Sequence, residues 1–360
     1  MFEEALEVDP EYAQAHAGLG EALWRQYQIT NELRWVDAAL ESCAKAVELD
    51  ELDAEGHVCL GTLYSGTGRF DEAVHEFKLA KSLDPSRDLV FKGLADSFLA
   101  LGNTELAENT YREAVAVRPH YWAPYNWLGI FYHRQGRIEE AMRNFEEVVR
   151  LAPDSYLGYS NLGTAYYFFE QTDKARESFE RALEIKSDDD LALSNLATLS
   201  FFEGDYEKAV ELFERAVAIN DKDYFNWGNL ADAYHWSPGS RDQADAAYRR
   251  AVSLCEEQLV INPKDAVLLG DLAYYQAMLG SEEQAIGSIE RALELMPSDI
   301  DIQHRAGQVY ETLGRSDLAL RYLGQAVANG YPSDEIAVDP LFEDLRDNPQ
   351  FQALVSPHGE

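Results

Sequence analysis

Cationic side chains are scarce in this sequence. Its 360 residues hold 30 lysines and arginines against 65 aspartates and glutamates, a formal net charge of −35. Such a field repels phosphate, and nucleic-acid affinity is built on Lys and Arg neutralising phosphates. DNA, RNA and anionic membrane surfaces are therefore not expected partners. A neutral or basic peptide would instead be steered inward, while most of the acid is expected to lie on a solvated outer surface. Cysteine is equally sparse: Cys43, Cys59 and Cys255, with no CxxC pair. An odd, scattered set fits buried thiols in a reducing compartment better than a disulfide framework. No apolar run approaches the ~20 residues that a membrane helix needs. The opening MFEEALEVDP is acidic and has no apolar stretch of the signal-peptide kind. A soluble, cytoplasmic chain is expected. With 46% hydrophobic residues, the composition is that of a folded protein rather than a disordered one.

What the sequence has in quantity is itself. Leu94, Leu128, Leu162, Leu196 and Leu230 stand 34 residues apart, as do Ala73, Ala107, Ala141, Ala175 and Ala209, and Pro85, Pro119 and Pro153. Leu60 and Tyr64, at i and i+4, share one face of a first helix. Ala73, Phe77 and Ala80, at i, i+4 and i+7, form the facing stripe of a second. Small residues such as Gly61 and Ala73 let the two helices approach closely. Gly68, Gly102, Gly136, Gly204, Gly280 and Gly314 recur where the first helix ends, and Gly closes a helix in the left-handed conformation without steric cost. Proline after the second helix stops the hairpin.

Within Ala54 to Arg87, the residues Leu60, Gly61, Tyr64, Ala73, Phe77, Ala80 and Pro85 match the consensus of the tetratricopeptide repeat. Almost the whole chain resembles that family. The resemblance implies an all-α, right-handed superhelical solenoid. Nine hairpins are expected over 13–332, starting near Ala13, Ala54, Asp88, Trp122, Tyr156, Asp190, Tyr224, Ala266 and Ile300. Residues 1–12, with Phe2, Ala5 and Pro10, fit an orphan second helix, so a longer parent chain is expected. Asp339-Pro340 and Asn348-Pro349 are helix-start signals. With Leu341, Phe342, Leu345, Phe351 and Leu354 on a buried side, 333–360 is expected to be a helical C-terminal cap and tail. Two repeats carry insertions of about seven residues, or two helical turns. One lies around Tyr27 to Trp35, between the helices of the first repeat. The other lies before Pro263, so that Ala244 to Ile261 is expected to be one lengthened helix.

No catalytic signature accompanies the repeats: there is no GxxxxGK[ST], no HExxH and no GxSxG. His16 and His57 occupy one repeat position, where packing is expected. His133 and His235 share another, three repeats apart, too far for one metal ion. No enzyme activity, metal or cofactor is expected.

The resemblance also implies that first helices line a concave groove, through positions 2, 5, 6, 9, 12 and 13 of each repeat. Position 6 gives Asn161, Asn195 and Asn229, then Asp271, with Trp127 at that position one repeat earlier and Asn126 beside it. The row resembles the asparagine ladder of the O-linked N-acetylglucosamine transferase repeats. An amide both donates and accepts, so such a row either grips an extended peptide backbone or links neighbouring repeats. Positions 12 and 13 give Tyr167 and Phe168, Phe201 and Phe202, His235 and Trp236, with His133 in the repeat before. These rings either form a binding surface or pack between neighbouring first helices. The carboxylate clamp of chaperone-binding repeats is not matched: Lys92 fits one position, but Asp96 stands where Asn is required.

The stretch WGNLADAYHWSPGSRDQADAAYRRAV and the tail GYPSDEIAVDPLFEDLRDNPQFQALV resemble the C-terminal repeat region of bacterial serine/threonine kinases and related signalling proteins, without any kinase motif here. The expected role is therefore that of a non-catalytic scaffold, the interaction part of a larger signalling protein. It would bind an extended, neutral-to-basic peptide or protein between Trp127 and Trp236. Homo-oligomerisation of the parent through the same aromatics is the alternative.

Overall fold

A computed structural model describes residues 2–30 and 32–356. Among them there are helices and no strands. The chain divides into two compact units, Met1–Gln171 and Thr172–Glu360. Each is a run of antiparallel helix pairs. In the first unit, Phe2–Val8 precedes Ala13–Thr30 with Arg34–Leu49, Ala54–Gly66 with Phe70–Leu83, Asp88–Ala100 with Thr104–Val117, Trp122–Arg134 with Ile138–Leu151, and then Tyr156–Phe168. The second opens on Thr172–Ile185. It continues with Asp190–Phe202 and Tyr206–Ile219, Tyr224–Trp236 and Arg241–Ile261, Ala266–Met278 and Glu282–Leu295, and Ile300–Thr312 and Ser316–Ala328.

The packing unit is an alanine beside an aromatic ring. Ala73, Ala107, Ala141, Ala175 and Ala209 are fully buried on the second helices. One turn on, Phe77, Tyr111, Phe145, Phe179 and Phe213 are buried almost as deeply. The rings need bare backbone opposite them. A Cβ placed on Gly129 would stand 2.6 Å from the Phe145 ring, so only glycine fits there. Between repeats, Tyr166 Oη donates to Glu146 Oε1 at 3.0 Å and Tyr234 Oη to Glu214 Oε1 at 2.6 Å, tying a first helix to the second helix before it.

Both insertions are helical. Ala13–Thr30 runs for 18 residues and Arg241–Ile261 for 21. The residues expected between the helices of the first repeat thus mostly lengthen its first helix. The cap comprises Ser333–Val338, a 3₁₀ turn Pro340–Leu345 and Pro349–Val355. Asp339 and Asn348 accept from the backbone N–H groups of Leu341 and Gln350, at 2.9 and 2.8 Å. Ile336, Phe342, Leu345 and Phe351 bury themselves against Leu320 and Leu323 of the last hairpin.

The cysteine expectation is corrected. Cys43 and Cys59 form a disulfide, with Cα atoms 5.6 Å apart. They lie on the second helix of one hairpin and the first of the next, and the helix register brings them face to face, which residue spacing does not reveal. Cys255 alone is a free thiol; it is buried, and burial pushes its pKa well above the ordinary thiol range. The pairing removes the thiol-based reason for a reducing compartment. Among the described residues no helix is long and apolar enough to cross a membrane.

Two expectations follow from these observations. Thiol titration of the denatured, unreduced chain should find one reactive sulfhydryl, and three after reduction. Glu170 stands at the step where Gly136 and Gly204 close their first helices, and it is held at φ 58°. Left-handed backbone costs an L residue roughly 1 kcal/mol. Glu170→Gly should therefore raise stability in chemical denaturation by up to about that amount, less the extra chain entropy that glycine brings to the unfolded state.

Candidate functional site

Four first helices of the second unit turn one face away from the hairpin cores. On Tyr224–Trp236 that face carries Phe225, Asn229, Asp232 and Trp236, at i, i+4, i+7 and i+11. Together with Asp190–Phe202, Ala266–Met278, Ile300–Thr312 and the cap, these faces line a cleft of about 490 Å³. The helices come close because Ala197, Ala231 and Ala273 are fully buried at their contacts. A Cβ on Gly228 would meet the Tyr275 hydroxyl at 2.2 Å.

One side of the cleft is aromatic. Phe201 meets Phe202 edge-on, with ring centres 5.6 Å apart, and lies 5.2 Å from Tyr206, which in turn approaches Trp236 at 6.4 Å. Phe202 is half exposed. The other side is polar and connected. Arg305 donates to Asp271 and to Gln308, both at 2.7 Å, and its guanidinium lies 5.0 Å from the centre of the Tyr274 ring. Gln308 donates onward to Asp339 of the cap at 2.8 Å. Tyr224 donates to the second oxygen of Asp271 at 3.3 Å. Tyr248 and Tyr274 both donate to Asp232 Oδ1, at 2.5 and 2.8 Å. His304 stacks on Tyr331, with ring centres 4.3 Å apart.

Charge in the cleft is unbalanced. Its lining holds four carboxylates, Asp232, Asp271, Asp301 and Asp339, and one cation, Arg305. Burial pushes the Asp232 carboxyl up to about 6, against the pull of its two tyrosine hydrogen bonds. Burial also raises Asp301 and Asp339. His304 supplies no compensating charge, since burial, aided by neighbouring Arg305, drives its pKa down to about 3. Among the described residues no three His, Cys, Asp or Glu side chains stand close enough to hold a metal ion.

Of the residues singled out from the sequence, Asn195, Phe201, Phe202, Asn229 and Trp236 line this cleft. His235 lies beside it, its ring 5.2 Å from that of Trp236, and burial lowers its pKa. The remainder belong to the first unit. There Asn161 Nδ2 donates to Asn126 Oδ1 at 2.9 Å, a bond between adjacent first helices. Trp127 is half-buried against that unit's core. His133 meets Phe168 edge-on at 5.2 Å, and Tyr167 meets Phe168 at 5.6 Å; burial, with Arg134 nearby, lowers the His133 pKa. Phe168 is 57% exposed.

Arg305, Asp232, Tyr274, Tyr331 and Asp339 were not singled out from the sequence as site residues. A signal for Arg305 exists: it stands 34 residues after Asp271, the next rung of the row that begins with Asn161. Asp232, Tyr274 and Gln308 share position 9 of their repeats. Tyr331 stands 34 residues after Pro297, at the step of the recurring proline, and Asp339 is marked as a helix start by Pro340; neither signal points to the cleft.

Profiles of the tetratricopeptide repeat match residues 1–47, 54–87, 93–121, 123–188, 169–233 and 300–328. With these matches along most of its length, the chain belongs to the tetratricopeptide-repeat family. A probable UDP-N-acetylglucosamine–peptide N-acetylglucosaminyltransferase, SPINDLY of Hordeum vulgare, is 33% identical over 101 residues, which is 26% of this chain and 11% of that protein. The chain thus spans only a small part of that relative. Among solved structures, a human IFIT1 dimer with m7Gppp-AAAA has a TM-score of 0.56 at 16% identity, covering 89% of this chain and 77% of that one. The Cut9–Hcn1 hetero-tetramer of the APC/C has a TM-score of 0.55 at 17% identity, covering 80% and 52%. These likenesses show the fold: an all-α tetratricopeptide solenoid, an architecture that generally mediates protein–protein interaction.

Asp232 has a thermodynamic signature. Its carboxyl titrates near 6 in the fold and near 3.8 in an open chain, so the folded state holds the proton more tightly between those values. Stability contributed by this group is present at low pH and is lost as pH rises from about 4 through 6. Asp232→Asn keeps the oxygen that accepts both tyrosine hydroxyls. Its melting temperature relative to the parent protein should therefore increase between pH 4 and pH 7, by the equivalent of at least about 1 kcal/mol. A constant difference across that range would show that Asp232 is ordinarily solvated.

Proposed function

We propose that this chain is a non-catalytic interaction scaffold that binds an extended, neutral-to-basic segment of a partner protein along the inner face of its first helices. The cleft of the second unit is the principal site. The observation that carries this reading is the juxtaposition in one cleft of a half-exposed ring wall with carboxylates that outnumber their cation. Rings supply rigid contact area at low entropic cost, and the unbalanced carboxylates select against acidic ligands. Asn195 and Asn229 stand where amides can exchange hydrogen bonds with an extended backbone. In the first unit, the exposed Phe168, met edge-on by Tyr167, is the corresponding candidate contact.

Human IFIT1, of the same fold, was solved with a capped RNA. For this chain a nucleic-acid role is disfavoured, because the cation lining the cleft is already engaged by Asp271. The chain's resemblance to kinase-associated repeat regions supports a place in a larger signalling protein. Self-association of the parent is the second reading, favoured by the exposure of Phe168 and Phe202. Concentration-independent monomer mass in light scattering would remove it.

The test uses an array of immobilised, extended peptides spanning net charges from acidic to basic. The parent protein should retain neutral and basic members. Phe201→Ala/Trp236→Ala should remain folded by circular dichroism and lose at least about tenfold in retention, since one well-buried ring contributes roughly 2 kcal/mol. Undiminished retention by the folded double variant would dismiss the cleft as the site.

A further inference from the structure

The cleft shows more than a preference for neutral or basic segments. We propose that it seats one arginine side chain of the partner segment, the guanidinium lying between the ring wall of Phe201, Phe202 and Trp236 and the carboxylates that surround Arg305. This rests on the peptide-binding reading given above and specifies its anchor.

Three observations lead to it. First, the charge count leaves a deficit. Of the carboxylates Asp232, Asp271, Asp301 and Asp339, Arg305 pairs directly with Asp271 alone. The hydrogen bonds to Asp232 come from two neutral hydroxyls, and those to Asp339 from Gln308 and a backbone amide. Carboxylates taken out of water without a cation are destabilised, consistent with the raised pKa values of Asp232 and Asp339. His304, held neutral against Tyr331, does not make up the deficit.

Second, the carboxylates are too dispersed for an inorganic ion. Among the described residues no cluster of three His, Cys, Asp or Glu could ligate a metal. A cation that reaches several of them has to be extended and to carry donors in more than one direction. The planar guanidinium with its five N–H donors does so, and it also stacks on aromatic faces.

Third, the protein already solves this problem with its own arginines. Arg305 lies over Tyr274 and donates to Asp271 and Gln308. In the first unit, Arg137 lies 4.3 Å from the centre of the Tyr132 ring and donates to Glu108 at 2.7 Å. Ring, guanidinium and carboxylate recur as one arrangement. In the cleft, Phe201, Phe202 and Trp236 provide rings, and Asp232 and Asp301 provide carboxylates, while Arg305, the one arginine among the cleft-lining residues, is hydrogen-bonded to Asp271 and Gln308 instead.

The experiment uses the intact chain and four immobilised pools of acetylated, amidated heptapeptides. The central residue is arginine, lysine, citrulline or glutamate, and the flanks are randomised among uncharged residues. Citrulline keeps the shape of arginine and removes its charge. The arginine pool should retain the protein about tenfold better than the citrulline pool, a difference that one well-placed charge-assisted pair supplies, and the glutamate pool least of all. Asp301 is exposed at a helix start, so Asp301→Asn should leave the fold intact. It should reduce retention on the arginine pool several-fold and leave the citrulline pool unchanged. Asp301→Lys should reverse the order of the arginine and glutamate pools.

Equal retention on arginine and citrulline pools, still lost in Phe201→Ala/Trp236→Ala, would overturn the arginine anchor and leave the peptide cleft standing. A lysine pool ahead of arginine would overturn the guanidinium in favour of a point charge. Failure of all four pools, or retention indifferent to Phe201 and Trp236, would overturn both the anchor and the reading on which it rests. So would preferential capture of an oligoadenylate.

Discussion

The contact on which the structure depends is between an alanine-bearing helix and the bare backbone of its neighbour, with a ring wedged beneath. Ala141 and Phe145 on a second helix, against Gly129 on a first, show the arrangement. The ring fills the space that the small residues leave, at the density of a protein interior. Repeated at a fixed step, the contact makes each hairpin stable only beside its neighbours. It also restricts where chemistry can lie. Every second helix spends its apolar stripe on this packing. A first helix spends two faces, one on its own partner and one on the next repeat, and keeps a third.

That third face explains why the cleft is so unlike the rest of the surface. Positions relieved of packing can carry what the core cannot accept. On Ile300–Thr312 the cleft-lining residues are Asp301, Ile302, His304, Arg305 and Gln308, all but one of them polar, while Ala306, Val309 and Tyr310 of the same helix are buried in the core. Tyr331, at the end of the last hairpin, and Asp339 of the cap then close over it, so the last repeat is roofed rather than left open to solvent. Asp339 serves twice: one oxygen caps the 3₁₀ turn through Leu341, and the other accepts from Gln308. The cap's local fold and the cleft's polar network therefore share an atom group.

The all-α class could be read from the 34-residue step together with the consensus match of Leu60, Gly61, Tyr64, Ala73, Phe77, Ala80 and Pro85, because burial at one hairpin contact imposes the same residue type at each step. The candidate site was less legible. Asn195, Asn229, Phe201 and Trp236 stood out because they recur at repeat positions, and the same regularity drew in Asn161, which bonds to Asn126 one place off the row. Periodicity shows that a position has a common orientation. It does not show whether the side chain there meets a neighbour or solvent. Asp232 was invisible for another reason: its role comes from Tyr248 and Tyr274, on two other helices, and no spacing in a single helix encodes that meeting. The Cys43–Cys59 pair was missed on the same grounds.

The row at position 6 shows how a repeat array can change its chemistry without changing its fold. Asn161, Asn195 and Asn229 are neutral amides. At the next step the residue is Asp271, and at the next Arg305. An ion pair at 2.7 Å thus takes the place of amides at the C-terminal end of the row. Breaking a partly buried pair by removing one partner leaves an uncompensated charge, so these two rungs are committed to each other in a way that the amides are not. Within the second unit the row therefore passes from neutral amides, Asn195 and Asn229, to an ion pair that is locked in place. Three further carboxylates ring the locked end, and their charge exceeds what Arg305 can neutralise. On the proposed reading, a segment lying along Asn195 and Asn229 would meet the carboxylates at one end only, and its orientation would follow from where its own positive charge lies.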